Sequence, residues 1–314
     1  MSNLTTRVLV ALVGIPLILL LVTAGGFYFF GFVAVVSALA LHEFYGLARK
    51  RGAFPQVVLG LLVGFLVNAV FLHARFSALI LGALQSGGVA PPWPGMTQVF
   101  LILLLLAVPL MLAVELFRNR GSALFNVATT LLGIGYVSLF FGSLVGLREL
   151  FVPADFPVYL HFQVPGPSVP EEVTATIYRW GGLTVISIFA SIWCCDSAAY
   201  FAGRALGRHK LFPRVSPHKT WEGAIAGVVF AVAAFLAARA LVLPYLSAGS
   251  AAVCGLIVGI FGQIGDLAES LMKRDAGVKD SSSIIPGHGG VLDRFDSLMF
   301  VSPLIYFYLD FVVF

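Results

Sequence analysis

Nine stretches of this chain are apolar for about twenty residues at a time. They run roughly over 7–24, 27–48, 56–74, 97–117, 122–147, 181–203, 222–243, 250–272 and 297–314. Each matches the ~20 residues that cross a bilayer as a helix. Inside lipid, backbone polar groups must be satisfied within their own segment, so stretches of this kind fold as helices. The sequence therefore predicts an all-α fold, a polytopic transmembrane helical bundle of about nine spans. Charge supports this: only 11% of residues are charged, against about 25% in a soluble domain. A tenth run, Phe76 to Gln85, is too short to span. It reads as a re-entrant or interfacial segment ahead of the Gly/Pro-rich loop 87–95.

The basic residues sort by side. With the N-terminus in the cytoplasm and nine spans, only Arg75, Arg148, Arg179 and Arg239 fall outside, and 15 of the 19 basic residues fall inside. That is the bias expected of cytoplasmic loops. Counting 76–85 as a further span would put richly basic loops outside, so it is rejected. The first span follows Arg7 and has a longer apolar run than a signal peptide core, so it reads as a retained helix. Two parts follow: 1–180, N-terminal transmembrane helices with an outer loop at 148–180, and 181–314, transmembrane helices whose polar loops face the cytoplasm. Cys194, Cys195 and Cys254 lie in apolar runs without metal-site spacing and read as small buried hydrophobes. No nucleic-acid-binding surface is evident. The pairs Gly60/Gly64, Gly142/Gly146, Gly223/Gly227 and Gly255/Gly259 read as close helix contacts.

Three polar clusters fall at the cytoplasmic side. Asp196 stands within the sixth span, with Tyr200 and Gly203 on its face. An intramembrane carboxylate marks a functional site by default; the alternative is pairing with Arg204 or a backbone group. The second cluster is Ser216-Pro217-His218-Lys219-Thr220-Trp221-Glu222-Gly223, just before the seventh span. There Ser216 is expected to cap the helix, and free N–H groups suit a phosphate. The third begins at Asp266, which shares a helix face with Glu269, Ser270 and Lys273, and leads into the loop from Ser270 to Asp296. That loop combines dense, balanced charge with the turn Gly287-His288-Gly289-Gly290, whose glycines let a backbone approach a ligand. Cations for phosphates and carboxylates for a metal suit such a loop. The alternatives are a salt bridge from Asp266 to Lys273 and pairing of Asp293 with Arg294 or another nearby cation. His42-Glu43 reads as an interface anchor, and Glu115 and Asp310 as paired structural acids.

The loop resembles the signature of the phosphatidate cytidylyltransferases (CDP-diacylglycerol synthases). Ser270, Lys273, Arg274, Lys279, Asp280, Ser282, Ile285, Pro286, His288, Gly289, Gly290, Asp293, Arg294 and Asp296 each fall on its pattern. The Asp196, Ala199, Tyr200, Gly203, Arg204 segment and the Ser-Pro-x-Lys-Thr-x-Glu-Gly segment resemble the same family, with His218 at its variable position. The resemblance covers roughly 196–297. It implies that CTP and phosphatidate give CDP-diacylglycerol and pyrophosphate, for phospholipid synthesis. It implies Mg2+ on Asp266 and Asp293, with a second cation near Asp196 left open. Lys273 and Arg294 would join these aspartates in catalysis. Ser216, Lys219, Thr220, Arg274, Lys279, His288, Gly289, Gly290 and Asp196 would bind substrate.

The implied partners are CTP, phosphatidate and the lipid bilayer, with a homodimer left open. The implied location is the cytoplasmic (inner) membrane, with the site on its cytoplasmic side. An ion-coupled transporter would use Asp196 and Asp266 as intramembrane acids, but the polar residues gather at one face and no inverted repeat is apparent. A CDP-alcohol phosphotransferase would need an Asp-Gly-x-x-Ala-Arg hallmark that is missing.

Overall fold

The structure is a computed structural model and describes residues 3–85, 94–151, 171–287 and 289–314. His288, most of the loop 87–95 and most of the outer loop 148–180 lie outside the described residues. In order come α1 (Asn3–Ala24), α2 (Gly26–Lys50), α3 (Val57–Val70), α4 (His73–Gln85), α5 (Met96–Arg118) and α6 (Ala123–Gly133). A π-helical turn, Ile134–Ser138, joins α6 to α7 (Leu139–Glu149) in one continuous rod. Then come α8 (Glu171–Leu206), β1 (Lys210–Phe212), β2 (Ser216–Thr220), α9 (Trp221–Leu241), α10 (Ala248–Asp275) and α11 (Leu292–Tyr308), which ends in π-helical Leu309–Val313.

Among the described residues, eight helices are long and apolar enough to cross a membrane, or nine with the bent pair α3 and α4. The all-α polytopic bundle is thus observed. Two details differ from expectation. The third span is broken: α3 has 14 residues, and the chain turns by 81° into α4, which contains the short tenth run. The sixth span is longer than its apolar stretch, because α8 begins at Glu171 with an acidic first turn that suits a helix N-terminus.

Among the described residues the one two-stranded sheet is a small antiparallel hairpin between α8 and α9, pairing Lys210 with Thr220 and Phe212 with Ser216. Ser216 therefore opens a strand and does not cap α9. The cap is Thr220, whose hydroxyl accepts from Gly223 N at 3.3 Å. Glu222 secures the hairpin by accepting from His209 N and pairing with its ring at 2.7 Å.

Glycines set the closest helix contacts, as their spacing suggested. A Cβ on Gly255 would stand 2.5 Å from Val232 Cα, and one on Gly259 2.7 Å from Val228 Cα, so α9 and α10 touch backbone to backbone. Gly223 and Gly227 do the same for α9 against α8. Gly142 and Gly146 make room for the Phe71 ring at the bend after α3. The buried core is continuous from Val22 and Phe29 through Leu144 and Val185 to Val258 and Ile305, so it spans both 1–180 and 181–314.

Two groups of charged residues in the helices are clamped away from the site. Glu115 accepts from Gln56, Arg118 and Asn126 at 2.6–2.9 Å, tying α5 to α6 and to the chain entering α3. This is the paired structural acid expected. Asp310, expected to be similar, forms no ion pair among the described residues. At the opposite end Arg148, almost wholly buried, donates to the Val22 and Thr23 carbonyls at the end of α1 and lies 4.1 Å from the Tyr178 ring centre. Glu149 accepts from Arg75, Tyr178 and Gly26 N. Five helices, α1, α2, α4, α7 and α8, thus meet on one ionic knot.

Candidate active site

The site is built where α10 and α11 run closest. A Cβ on Gly265 would stand 2.6 Å from the Asp296 carbonyl, so the next residue, Asp266, is held against the first turns of α11. Asp266 projects across to the hairpin and accepts from Lys219 Nζ at 2.5 Å, with Ser270 Oγ at 3.3 Å. Two turns beyond Asp266, Lys273 lies 2.5 Å from Glu269, its i−4 neighbour, and 2.7 Å from Asp293. The signature loop therefore folds back onto the helix that precedes it.

Asp293 is the hub of that fold-back. Its second oxygen accepts from Gly290 N at 2.8 Å and from Ser281 N and Oγ at 3.0 Å each. Gly287 and Gly289 lie at φ +74° and +85°, in the left-handed region where a side chain is strained. Ile285 N then bonds Gly289 O at 2.9 Å and closes the turn. A second carboxylate enters from α2. Glu43 accepts from Ser281 Oγ, Ser282 Oγ, Val291 N and Leu292 N at 2.6–3.0 Å.

Three cavities adjoin this framework. A central one of about 460 Å³ is lined by Asp196, Asp266, Asp280, Asp293 and Asp296, with Lys273 and Arg294 among them. A second, of about 550 Å³, shares Asp196 and Asp266 and runs under the hairpin past Tyr200, Arg204, His218, Lys219 and Thr220. The third, of about 520 Å³, shares Asp280 and Arg294 and carries Arg7, Lys279, Ser282 and Ser283. Acidic oxygen ligands thus stand between two clefts that bear cations. The donor set suits a hard dication such as Mg2+, which commonly takes one or two carboxylates and leaves its other positions to phosphates and water. Among the described residues no three potential ligands are gathered closely enough to hold a metal by themselves.

The comparisons with known proteins agree with one another. The sequence model of the cytidylyltransferase family matches residues 5–312. The chain belongs to the cytidylyltransferase family. A protein from Synechocystis sp. named phosphatidate cytidylyltransferase is 35% identical over 305 residues, 97% of this chain and 96% of that protein. The proteins of that name from Brucella suis and Bacillus subtilis are 50% and 49% identical over 129 and 121 residues. Those shorter matches span 47% and 44% of the two relatives. As a cytidylyltransferase, the chain is a nucleotidyltransferase embedded in a membrane.

For this cytidylyltransferase the structure brings most of the residues singled out in the sequence to the cavities. Asp266, Asp293, Lys273, Arg294 and Asp196 reach the central cavity, Lys219 and Thr220 the second, Lys279 and Gly289 the third. Asp196 lines two cavities and makes no ion pair with Arg204, which donates instead to Tyr200. Ser216 is spent on the hairpin, and Arg274 is exposed and donates to the Val278 carbonyl at 3.2 Å, outside these cavities. Gly290 has a packing reason: a Cβ there would overlap Ser281 Oγ and stand 2.5 Å from Glu43 Oε2.

Three residues of this cytidylyltransferase were not legible as site residues. Asp296 stands on the family pattern and lines the central cavity, yet nothing in its spacing distinguished it from the other loop acids. Arg7 donates to Gly287 O at 2.8 Å and lines the third cavity from α1. Glu43, which the sequence alone suggests as an interface anchor, is 3% exposed and holds the loop. The partners of Arg7 and Glu43 lie more than 230 residues away in sequence, beyond the reach of any local pattern.

Proposed function

We propose that this chain is a phosphatidate cytidylyltransferase that makes CDP-diacylglycerol and pyrophosphate from CTP and phosphatidate for phospholipid synthesis. The observation that carries the proposal is the shared wall of Asp266, Asp293, Lys273 and Arg294 around one cavity between two cation-bearing clefts. The names of the relatives supply the substrate pair. In the reaction a phosphatidate oxygen attacks the α-phosphorus of CTP, a new P–O bond forms, and the bond to the β-phosphate oxygen breaks. Pyrophosphate leaves with the electron pair. The attacking oxygen is already ionised near neutral pH, so the residues position and neutralise rather than remove a proton.

Lys219 and Arg204 in the second cleft suit the phosphate of a lipid, because that cleft also carries Ala199, Tyr200 and Ala224 along the exposed faces of two membrane helices. Lys279, Arg294 and Arg7 in the third cleft suit a triphosphate arriving from water. Asp266 and Asp293 would hold Mg2+ together with phosphate oxygens and water, offsetting charge on the departing pyrophosphate. Asp196, without an ion-pair partner among the described residues, is the candidate for a second cation. This reading puts the protein in the cytoplasmic (inner) membrane with the site on its cytoplasmic side, which the gathering of basic residues at the cleft end supports.

The test uses the purified full chain in detergent with CTP, phosphatidate and Mg2+, following CDP-diacylglycerol and pyrophosphate together. Product should need all three additions. Folded protein that forms none, or that releases pyrophosphate without phosphatidate, would overturn the reading.

A further inference from the structure

Glu43 has the environment of a group with a task. It stands on the last turns of α2, 3% exposed, and no cation pairs with it among the described residues. A carboxylate offers about four lone-pair sites, and here four donors meet them. Oε1 accepts from Ser282 Oγ at 2.6 Å and Val291 N at 2.9 Å; Oε2 accepts from Leu292 N at 2.8 Å and Ser281 Oγ at 3.0 Å. Its valence for ligands is filled, so it is not a spare acid for metal or substrate.

The four donors lie at one place, the entry to α11. A helix begins with N–H groups that lack partners within the helix. Its own flanking residues ordinarily supply a side-chain oxygen, but Val291 stands at the cap position of α11 and has none. Glu43 supplies it from another helix, nearly 250 residues away in sequence, with a full negative charge against the positive end of the macrodipole. The turn it fixes carries Asp293, Arg294 and Asp296, which face the central cavity. Ser281 Oγ stands 3.0 Å from both Glu43 Oε2 and Asp293 Oδ2, so either carboxylate can accept its single proton and the two are held side by side. Gly290 leaves the space that Glu43 occupies.

We infer that Glu43 is a positioning residue of the transferase reaction: it fixes the rotation of the first turn of α11, and through it the direction in which Asp293 and Arg294 face the cavity. The effect on turnover rests on the proposed cytidylyltransferase reaction, whereas the effect on the loop does not.

In Glu43→Gln the side chain keeps its size but exchanges two accepting sites for an N–H2 that confronts donors. Hydrogen–deuterium exchange of the full-length protein in detergent should quicken over 281–294 and stay unchanged over the rest of α2 and α10. Turnover should fall by about 10²-fold, the cost of misplacing reacting groups by about 1 Å. Ser282→Ala removes one donor and leaves the charge, so it should quicken exchange over the same segment and lower turnover several-fold. The double variant should be little worse than Glu43→Gln, because both act through one contact. Wild-type exchange over 281–294 in Ser282→Ala and Glu43→Gln would overturn the inference. So would a loosened segment with wild-type turnover, or faster exchange spread through the whole bundle. If Glu43→Gln does not fold, Ser282→Ala decides alone by the same two measurements. A wild-type protein that makes no CDP-diacylglycerol would refute the functional reading and leave the exchange result to judge Glu43.

Discussion

Asp266 and Asp293 carry the same charge and face one cavity, yet they are held differently. Asp266 is about one-third exposed and is bound chiefly by Lys219, whereas Asp293 is 4% exposed and accepts from Lys273 and three further donors. Asp266→Asn should therefore abolish turnover with little change in melting temperature. Asp293→Asn should abolish turnover and also cost about 1.5–3 kcal/mol of stability, the range for losing a hydrogen bond to a charged group. If the two share Mg2+, the double variant should turn over little worse than either single, since groups acting as a unit are not additive. Product formation against Mg2+ concentration, at equal folded yield, checks this; near-normal turnover in either variant removes that residue from the metal site. Both aspartates line the central cavity; the alternative bridge from Asp266 to Lys273 is not formed, whereas Asp293 does pair with a nearby cation, Lys273. Asp266 and Lys273 share a helix face, yet seven residues of rise put them about 10 Å apart. Lys273 meets Glu269, four residues back, and the loop then delivers Asp293 to it. Arg294 has no ion-pair partner among the described residues and lines two cavities. Arg294→Ala should leave the melting temperature unchanged and raise KM for CTP or lower kcat, and Arg294→Lys should restore little if the contact is bidentate. Wild-type kinetics in Arg294→Ala would remove it from the site.

At the scale of elements, the helices were legible because lipid leaves a spanning chain few other ways to satisfy its backbone. The hairpin was not legible. Ser216-Pro217-His218-Lys219-Thr220 carries no alternation strong enough to announce a strand, and it forms one because β1 lies within reach. Its consequence is functional: extended backbone carries Lys219 out to Asp266, where a helix beginning at Ser216 would have turned it elsewhere. The contact of α9 with α10 sets the span of that bridge. Gly255→Ala would press a Cβ against Val232 Cα, a backbone atom that cannot turn aside. Overpacking of this kind costs about 1–3 kcal/mol. The variant should melt lower and lose turnover, because Lys219 sits on β2 immediately before α9 and Asp266 on α10, so the pair is carried by the two helices forced apart. Gly14→Ala, with nothing within 4 Å of the added carbon, is the control and should be silent in both measurements. Equal melting temperatures for the two variants would show that the close approach of α9 and α10 is not a constraint.

At the scale of the whole molecule, the two ends of the bundle differ in what their charges do. One end gathers Arg75, Arg148, Glu149 and Tyr178 into a closed knot in which each charge is answered by protein. The other carries Arg7, Lys219, Lys279 and Arg294 around clefts, with Arg51 and Asp275 paired at the rim. The alternation of the helices places all four sparse-side arginines away from the clefts, as the count of basic residues required. Positive loops remain on the cytoplasmic side during insertion, so the cleft end should face the cytoplasm. In a background with Cys194, Cys195 and Cys254 replaced by Ala, single cysteines at exposed positions can test this. A membrane-impermeant thiol reagent should reach Ala248→Cys in intact cells. It should reach Arg120→Cys and Lys210→Cys only after the membrane is opened. The three positions are informative together, because Arg120 and Lys210 lie at the ends of different helices and Ala248 begins α10 at the opposite end. Labelling of Lys210→Cys from outside, with Ala248→Cys protected, would invert the bundle and place the clefts away from the cytoplasm. Labelling of Arg120→Cys and Lys210→Cys on opposite sides would mean that the α6–α7 rod and α8 do not both cross, and would reduce the number of spans.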